Sequence, residues 1–180
     1  MQSGTTSSED RTTIRSPDPI EAVDIEQQAK DKIVKHIATK FSGHSLARLV
    51  EAILKAQGYI TKNSEPGKDG GVDILAGSGA LGFNEPRICT QVKSSSPPLD
   101  VRILRELRGV MQRVNAKQGL LVAWGGFTNI QEARSEFFSI RLWDQGNLLD
   151  EVLAHYEHFD DELKTELLLK RIWTLVEESD

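Results

Sequence analysis

The chain alternates between helical and extended periodicity in an order that selects a mixed α/β sheet. Leu46, Leu49, Val50 and Ile53 fall on one face of a helix that runs from about Ser45 to Gln57 and stops at Gly58. Three short β-rich runs follow: Tyr59 to Thr61, Val72 to Ala76 and Arg87 to Lys93, the last two joined as a hairpin by the Gly- and Pro-containing segment Gly77 to Pro86. Asp100 can cap a helix over Val101 to Ala116. Gly119 to Trp124 is an apolar run of buried-strand length, and Ile130 to Phe138 reads as a helix. Ile140 to Trp143 gives a last strand and Asn147 to Tyr156 another helix. The expected architecture is a mixed sheet flanked by helices, with no internal repeat.

Flanking segments set the boundaries. Residues 1–18 are rich in Ser and Thr and nearly devoid of large apolar side chains, which reads as a disordered tail or linker. Asp18 and Pro19 then suit the cap and first position of a helix to about Thr39, with Ile20, Val23, Ile33, Val34 and Ile37 inward. The folded domain is expected over 19–159, followed by an amphipathic C-terminal helix over 160–180, although Leu167-Leu168-Leu169 blurs its period. Trp124, Trp143 and Trp173 are expected to fill core positions.

A single cysteine, Cys89, excludes an internal disulfide and a cysteine-rich zinc site. There is no signal-peptide pattern and no apolar run of membrane-spanning length, so a cytoplasmic setting is the default. The net charge of -5 is unevenly placed: Arg87 to Lys117 carries seven basic and two acidic residues, Asp144 to Asp180 three basic and eleven acidic. Local field decides whether phosphate is attracted, so a nucleic-acid partner stays open.

Chemistry concentrates at Asp73 and, eighteen positions on, at Gln91-Val92-Lys93. Strand alternation points Gln91 and Lys93 the same way and Val92 into the core, and a hairpin would bring Asp73 alongside. A carboxylate, an amide oxygen and an ammonium at one sheet edge can hold a divalent metal and orient water toward a phosphodiester. The plainer reading is a turn carboxylate salt-bridged to Lys93 on a solvated edge. Asp69-Gly70-Gly71 is turn chemistry, and its glycines also let a bulky partner approach the backbone.

Gly77-Ser78-Gly79-Ala80-Leu81-Gly82 matches a dinucleotide fingerprint but leaves no room for the helix it requires, so it reads as a hairpin tip. On the helix after Pro98, Ile103, Leu104, Leu107, Val110, Met111 and Val114 form one arc. Arg102, Arg105, Gln112 and Arg113 form the other, with Arg108 beside them. That polar arc is either a solvated face or a track for a phosphate backbone. The four histidines read as surface or packing residues.

Taken in order, Phe41-Ser42-Gly43 with Leu46 to Tyr59, Asp69-Gly70-Gly71-Val72-Asp73, Gln91-Val92-Lys93, Arg105-Glu106-Leu107, Gly119 to Val122, Gly126-Phe127-Thr128 and Ile140 to Leu148 resemble the Mrr-like branch of the PD-(D/E)XK nucleases. The resemblance implies a restriction-endonuclease-like mixed β-sheet core and Mg²⁺-dependent hydrolysis of DNA, with Mn²⁺ as a substitute. By position it implies Asp73, Gln91 and the Val92 backbone carbonyl as metal ligands, and Lys93 as the group that orients or deprotonates water. Ala47 stands where the family often has a helix glutamate, and Glu51, one turn on, is the candidate replacement. Lys68, Arg102, Arg105 and Arg113 are the candidate DNA contacts.

The expected function is a DNA endonuclease domain of a restriction or phage-defence protein, of type II/IV character. A homodimer or a fused or associated target-recognition domain would complete it. Two alternatives remain. One is a catalytically silent DNA-binding module of the same fold, and the other a partner-docking domain that uses the acidic helix over 160–180.

Overall fold

The computed structural model describes residues 25–64, 71–131 and 138–173. The expected tail and the helix start at Asp18-Pro19 lie outside them. So do Lys68 and the centre of the helix expected over Ile130 to Phe138.

Helix α1 (Ile25–Lys40) leads into α2 (His44–Ala56). α2 ends because Gly58, at φ 91, adopts the left-handed conformation that closes a Schellman turn. Tyr59 N–H donates to the Leu54 carbonyl at 3.0 Å and Gly58 N–H to that of Lys55 at 2.9 Å. The chain then enters β1 (Ile60–Asn63), β2 (Ile74–Ser78) and β3 (Asn84–Lys93). Gly79 and Gly82, both at positive φ, turn the β2–β3 hairpin. A Cβ on Gly77 would lie 2.0 Å from the Gly82 carbonyl oxygen, so the glycine string is a tight turn and not a phosphate cradle.

Beyond β3, the short β4 (Leu99–Asp100) pairs in parallel with β6 (Phe127–Thr128). Asp100 accepts from Arg102 N–H and caps a 3-10 turn, Val101–Ile103, which continues as α3 (Leu104–Arg113). Strands β5 (Gln118–Ala123) and β7 (Ile140–Trp143) complete the sheet, and α4 (Gln145–His155) and α5 (Asp161–Leu167) complete the chain.

The sheet has the order β1-β2-β3-β5-β7. β1, β2 and β3 are mutually antiparallel, while β3, β5 and β7 run parallel. Both faces are covered. On one, α1, α2, α4 and α5 pack Ile37, Leu46, Leu49, Ile53, Leu148, Val152 and Leu163 against Ile74, Ala76, Leu120 and Val122. On the other, α3 packs Leu104, Leu107, Val110 and Met111 against Cys89, Leu121 and Ile140. This double coverage is why β5 is apolar at every position after Gln118 and Gly119.

Two expectations are corrected at the C-terminus. The helix expected over 160–180 ends at Leu167, where Leu168 turns left-handed at φ 54. Leu163 and Leu167 are already buried, and the turn lets Leu169 pack on the same cluster while its carbonyl accepts from the Tyr156 hydroxyl at 3.0 Å. Trp173 is 95% exposed and fills no core position, whereas Trp124 and Trp143 pack at the edge of the first cluster.

Candidate active site

The site lies where β3 outruns β2. The β2–β3 ladder closes at Ile74 opposite Thr90, while β3 continues through Gln91, Val92 and Lys93 paired only with β5. Backbone groups alternate sides along a strand. Asp73 N–H donates to the Thr90 carbonyl at 2.9 Å, so Thr90 and Val92 turn their backbone groups toward β2, and Gln91 and Lys93 turn theirs toward β5. Val92 N–H therefore emerges past the end of β2. The Asp73 carboxylate takes it, Oδ2 accepting at 2.7 Å, and Ser64 N–H holds the Asp73 carbonyl at 3.0 Å. The Val92 carbonyl points to the same bare edge.

Asp73 is thus joined to Val92, the residue between Gln91 and Lys93 on β3. Asp73 makes no ion pair with Lys93: Oδ2 is engaged by Val92, and Oδ1 has no hydrogen-bond partner among the described residues. The half-buried Lys93 ammonium has neither ion pair nor hydrogen bond among them. The plain ion-pair reading of this edge is not what forms. Gln91 is 5% exposed; its Nε2 donates to the Gly71 carbonyl, and its Oε1 is buried without a hydrogen-bond partner. An orphaned buried oxygen costs about 1–3 kcal/mol unless a ligand satisfies it, so the donor set fits a hard cation: one carboxylate and two neutral oxygens.

Charge nearby behaves accordingly. Burial, and next the Asp73 carboxylate, push the Cys89 thiol up to about 11, leaving it neutral and inert.

The Glu51 carboxylate is engaged by β1 and by its own helix. It is 8% exposed, with Oε1 accepting from Thr61 Oγ1 at 2.7 Å and from Lys55 Nζ at 3.0 Å, and Oε2 accepting from Asn63 Nδ2 at 2.7 Å. Burial alone would raise its pKa, but the hydrogen bonds from Thr61, Lys55 and Asn63 outweigh burial and hold it below the usual carboxylate range. Among the described residues no three acidic, histidine or cysteine side chains gather as a metal cluster. Ala47 is buried in the core, and Gly43 N–H, at the start of α2, donates to Ser94 Oγ at 2.9 Å, tying that helix to the residue after Lys93.

The basic helix divides. Leu104, Leu107, Val110 and Met111 are buried, while Arg105, Arg108, Gln112 and Arg113 are exposed. Arg102 is committed to Asp100 by Nε at 3.0 Å and Nη2 at 2.8 Å, a pairing that holds the Asp100 carboxyl far below its ordinary range. Arg105 has no partner among the described residues.

Sequence reasoning missed Thr61 and Asn63 as the partners of Glu51. Their spacing by two on a strand beside α2 was the available signal. Gly70 lies outside the described residues; at Gly71 the near neighbour is within the chain, since a Cβ there would sit 2.7 Å from Gln91 Nε2.

No helix among the described residues is long and apolar enough to cross a membrane. No curated protein matches the sequence. The fold is similar to that of the DNA modification-dependent restriction endonuclease AspBHI, with a TM-score of 0.58 at 12% identity over 78% of this chain and 38% of that one. A second match, MspJI restriction endonuclease in complex with a 27-mer oligonucleotide, has a TM-score of 0.40 at 20% identity over 79% of this chain and 34% of that one. The chain spans less than two fifths of either protein. The family model described as restriction endonuclease, the Mrr catalytic domain, matches residues 38–152, more than half of the chain and every element from α2 to α4 bar its last turn. The chain belongs to the Mrr-type restriction endonuclease family.

Proposed function

We propose that this chain is the catalytic domain of a divalent-metal-dependent DNA endonuclease serving a restriction or phage-defence system. The observation that carries the reading is the buried, unpartnered Gln91 Oε1 on the strand whose next N–H, that of Val92, holds one oxygen of Asp73 and leaves the other uncommitted among the described residues. Asp73, Gln91 and the Val92 carbonyl would hold Mg²⁺, or Mn²⁺ in its place. The bound ion would supply Lewis-acid polarisation of the phosphate and acidify the attacking water. Asp73 is pre-oriented for this by Val92 N–H. Lys93, leaving the same strand on the Gln91 side, offers its ammonium to the water and to the charge that builds on the phosphate oxygens. Arg105 and Arg113 on α3 are the proposed backbone contacts, with Lys68 on the approach to Asp73. Glu51, with both oxygens already accepting, is proposed as the strut of β1.

Plasmid nicking tests this. Cleavage should require Mg²⁺ or Mn²⁺, stop in EDTA and vanish in Asp73→Ala and Lys93→Ala. A second reading, a silent DNA-binding module, is favoured by the apolar, buried Ala47 at the family's acidic position. Salt-sensitive DNA retention with no cleavage in either metal would select it. Docking through the C-terminal helix is disfavoured, because Leu163 and Leu167 already bury its apolar face within the chain.

A further inference from the structure

We propose that the Gly71 carbonyl is a positioning group that holds Gln91 as an oxygen donor and shuts glutamate out of position 91. The proposal rests on the metal-site reading above and deepens it. A glutamine amide presents one acceptor end and one donor end, and which end faces the site depends on what the other end meets. Here Nε2 donates to the Gly71 carbonyl, so Oε1 is the end left buried and open. The opposite orientation would press two oxygens together.

The glycine is needed twice for this. It holds φ 98, a conformation side chains resist, and a Cβ there would meet Gln91 Nε2 at 2.7 Å. Gly71 is two residues before Asp73, so one short turn delivers both the charged ligand and the carbonyl that aims the neutral one.

A carboxylate at position 91 has no donor to give that carbonyl. One of its oxygens would face the Gly71 oxygen from a side chain whose residue is only 5% exposed. Glutamate, the nearest isostere and nominally the stronger metal ligand, is therefore the worse residue. Gln91 is a built neutral ligand and not a weakened acidic one.

The test needs no turnover. In EDTA at neutral pH, thermal melts should rank wild type above Gln91→Met and Gln91→Met above Gln91→Glu; methionine loses the hydrogen bond without opposing oxygen to oxygen. In ¹⁵N-labelled wild type the Gln91 side-chain amide protons should exchange about tenfold or more slowly than those of the exposed Gln112. Mg²⁺ alone, titrated to saturation, should shift the Gln91 side-chain carbonyl resonance while those protons stay protected, a signature that a purely structural bond would not give. Gln91→Glu should bind Mn²⁺ no more tightly than wild type. Gln91→Glu melting at or above Gln91→Met, or Gln91 protons exchanging like those of Gln112, overturns the proposal. Slow exchange together with cleavage indifferent to Asp73→Ala would instead sink the nuclease reading and leave the orientation standing.

Discussion

Glu51 gives the sharpest separation between a strut and a metal ligand. Its carboxylate serves three donors: Thr61 at 2.7 Å, Asn63 at 2.7 Å and Lys55 at 3.0 Å. Removing it by Glu51→Ala strands Asn63 Nδ2 and Thr61 Oγ1, and a buried unsatisfied donor costs about 1–3 kcal/mol. The Thr61 hydroxyl can rotate to recover part of this, and the Lys55 side chain is mostly exposed, so its pair adds at most about 0.5–1 kcal/mol. A total loss of about 2–4 kcal/mol is expected for the alanine variant. Glu51→Gln should lose only about 1 kcal/mol, since its oxygen can serve Asn63 and its amide can donate to the Thr61 hydroxyl.

The acid dependence follows from the lowered pKa. Between the folded value and the unfolded one near pH ~4.3 the unfolded chain binds more protons, so stability rises with pH there. The contribution is complete above that window and is lost as pH falls through it. Urea melts of wild type and Glu51→Gln should therefore differ at neutral pH and converge in acid. Cleavage by Glu51→Gln should stay within about threefold of wild type, whereas loss of a metal ligand costs orders of magnitude. An alanine variant within about 0.5 kcal/mol of wild type, or a glutamine variant that folds but does not cut, would refute the strut.

Three further outcomes are expected. Leu163→Ala should cost about 2–4 kcal/mol in denaturant melts because the side chain is fully buried in the helix-covered core, while Leu168→Ala, one residue past the helix, should cost almost nothing. Arg105→Ala should weaken DNA binding evenly across sequences and lower the log–log salt slope by about 1, with a smaller change for Arg102→Ala because Asp100 already holds that guanidinium. Asp144→Ala should cost about 1 kcal/mol in thermal melts, since Asp144 and Asn147 form a reciprocal capping box at the start of α4.

The architecture was legible because the strands carry their own signals. The run before Gly125 is buried on both faces and Ile140–Trp143 is a short apolar β-rich run, so their limits could be read within a residue. The C-terminal helix could not, because three consecutive leucines satisfy either a helix or a turn, and only the packing of Leu169 chooses. At the site, Asp73 and Lys93 stand out as charges, and alternation places Gln91 beside Lys93. Whether Asp73 pairs with Lys93 or with a backbone N–H depends on where β2 stops relative to β3, which is a matter of tertiary register.

That register is also what makes the site. A strand that ends early leaves its neighbour with unpaired backbone groups, and buried N–H groups do not stay unpaired. Asp73 satisfies Val92 N–H and is thereby fixed in place; the Val92 carbonyl on the same edge and Gln91 Oε1 on the adjoining face are left as oxygen acceptors. On the proposed reading, structural need and ligand role coincide in one carboxylate. With a single charged group among the three proposed ligand oxygens, cation affinity should be low until phosphate oxygens add their own charge. Metal and DNA should therefore bind synergistically, each tightening the other by the same factor. If the proposed ligands hold, the site should stay largely unloaded until DNA lies across the β3 edge.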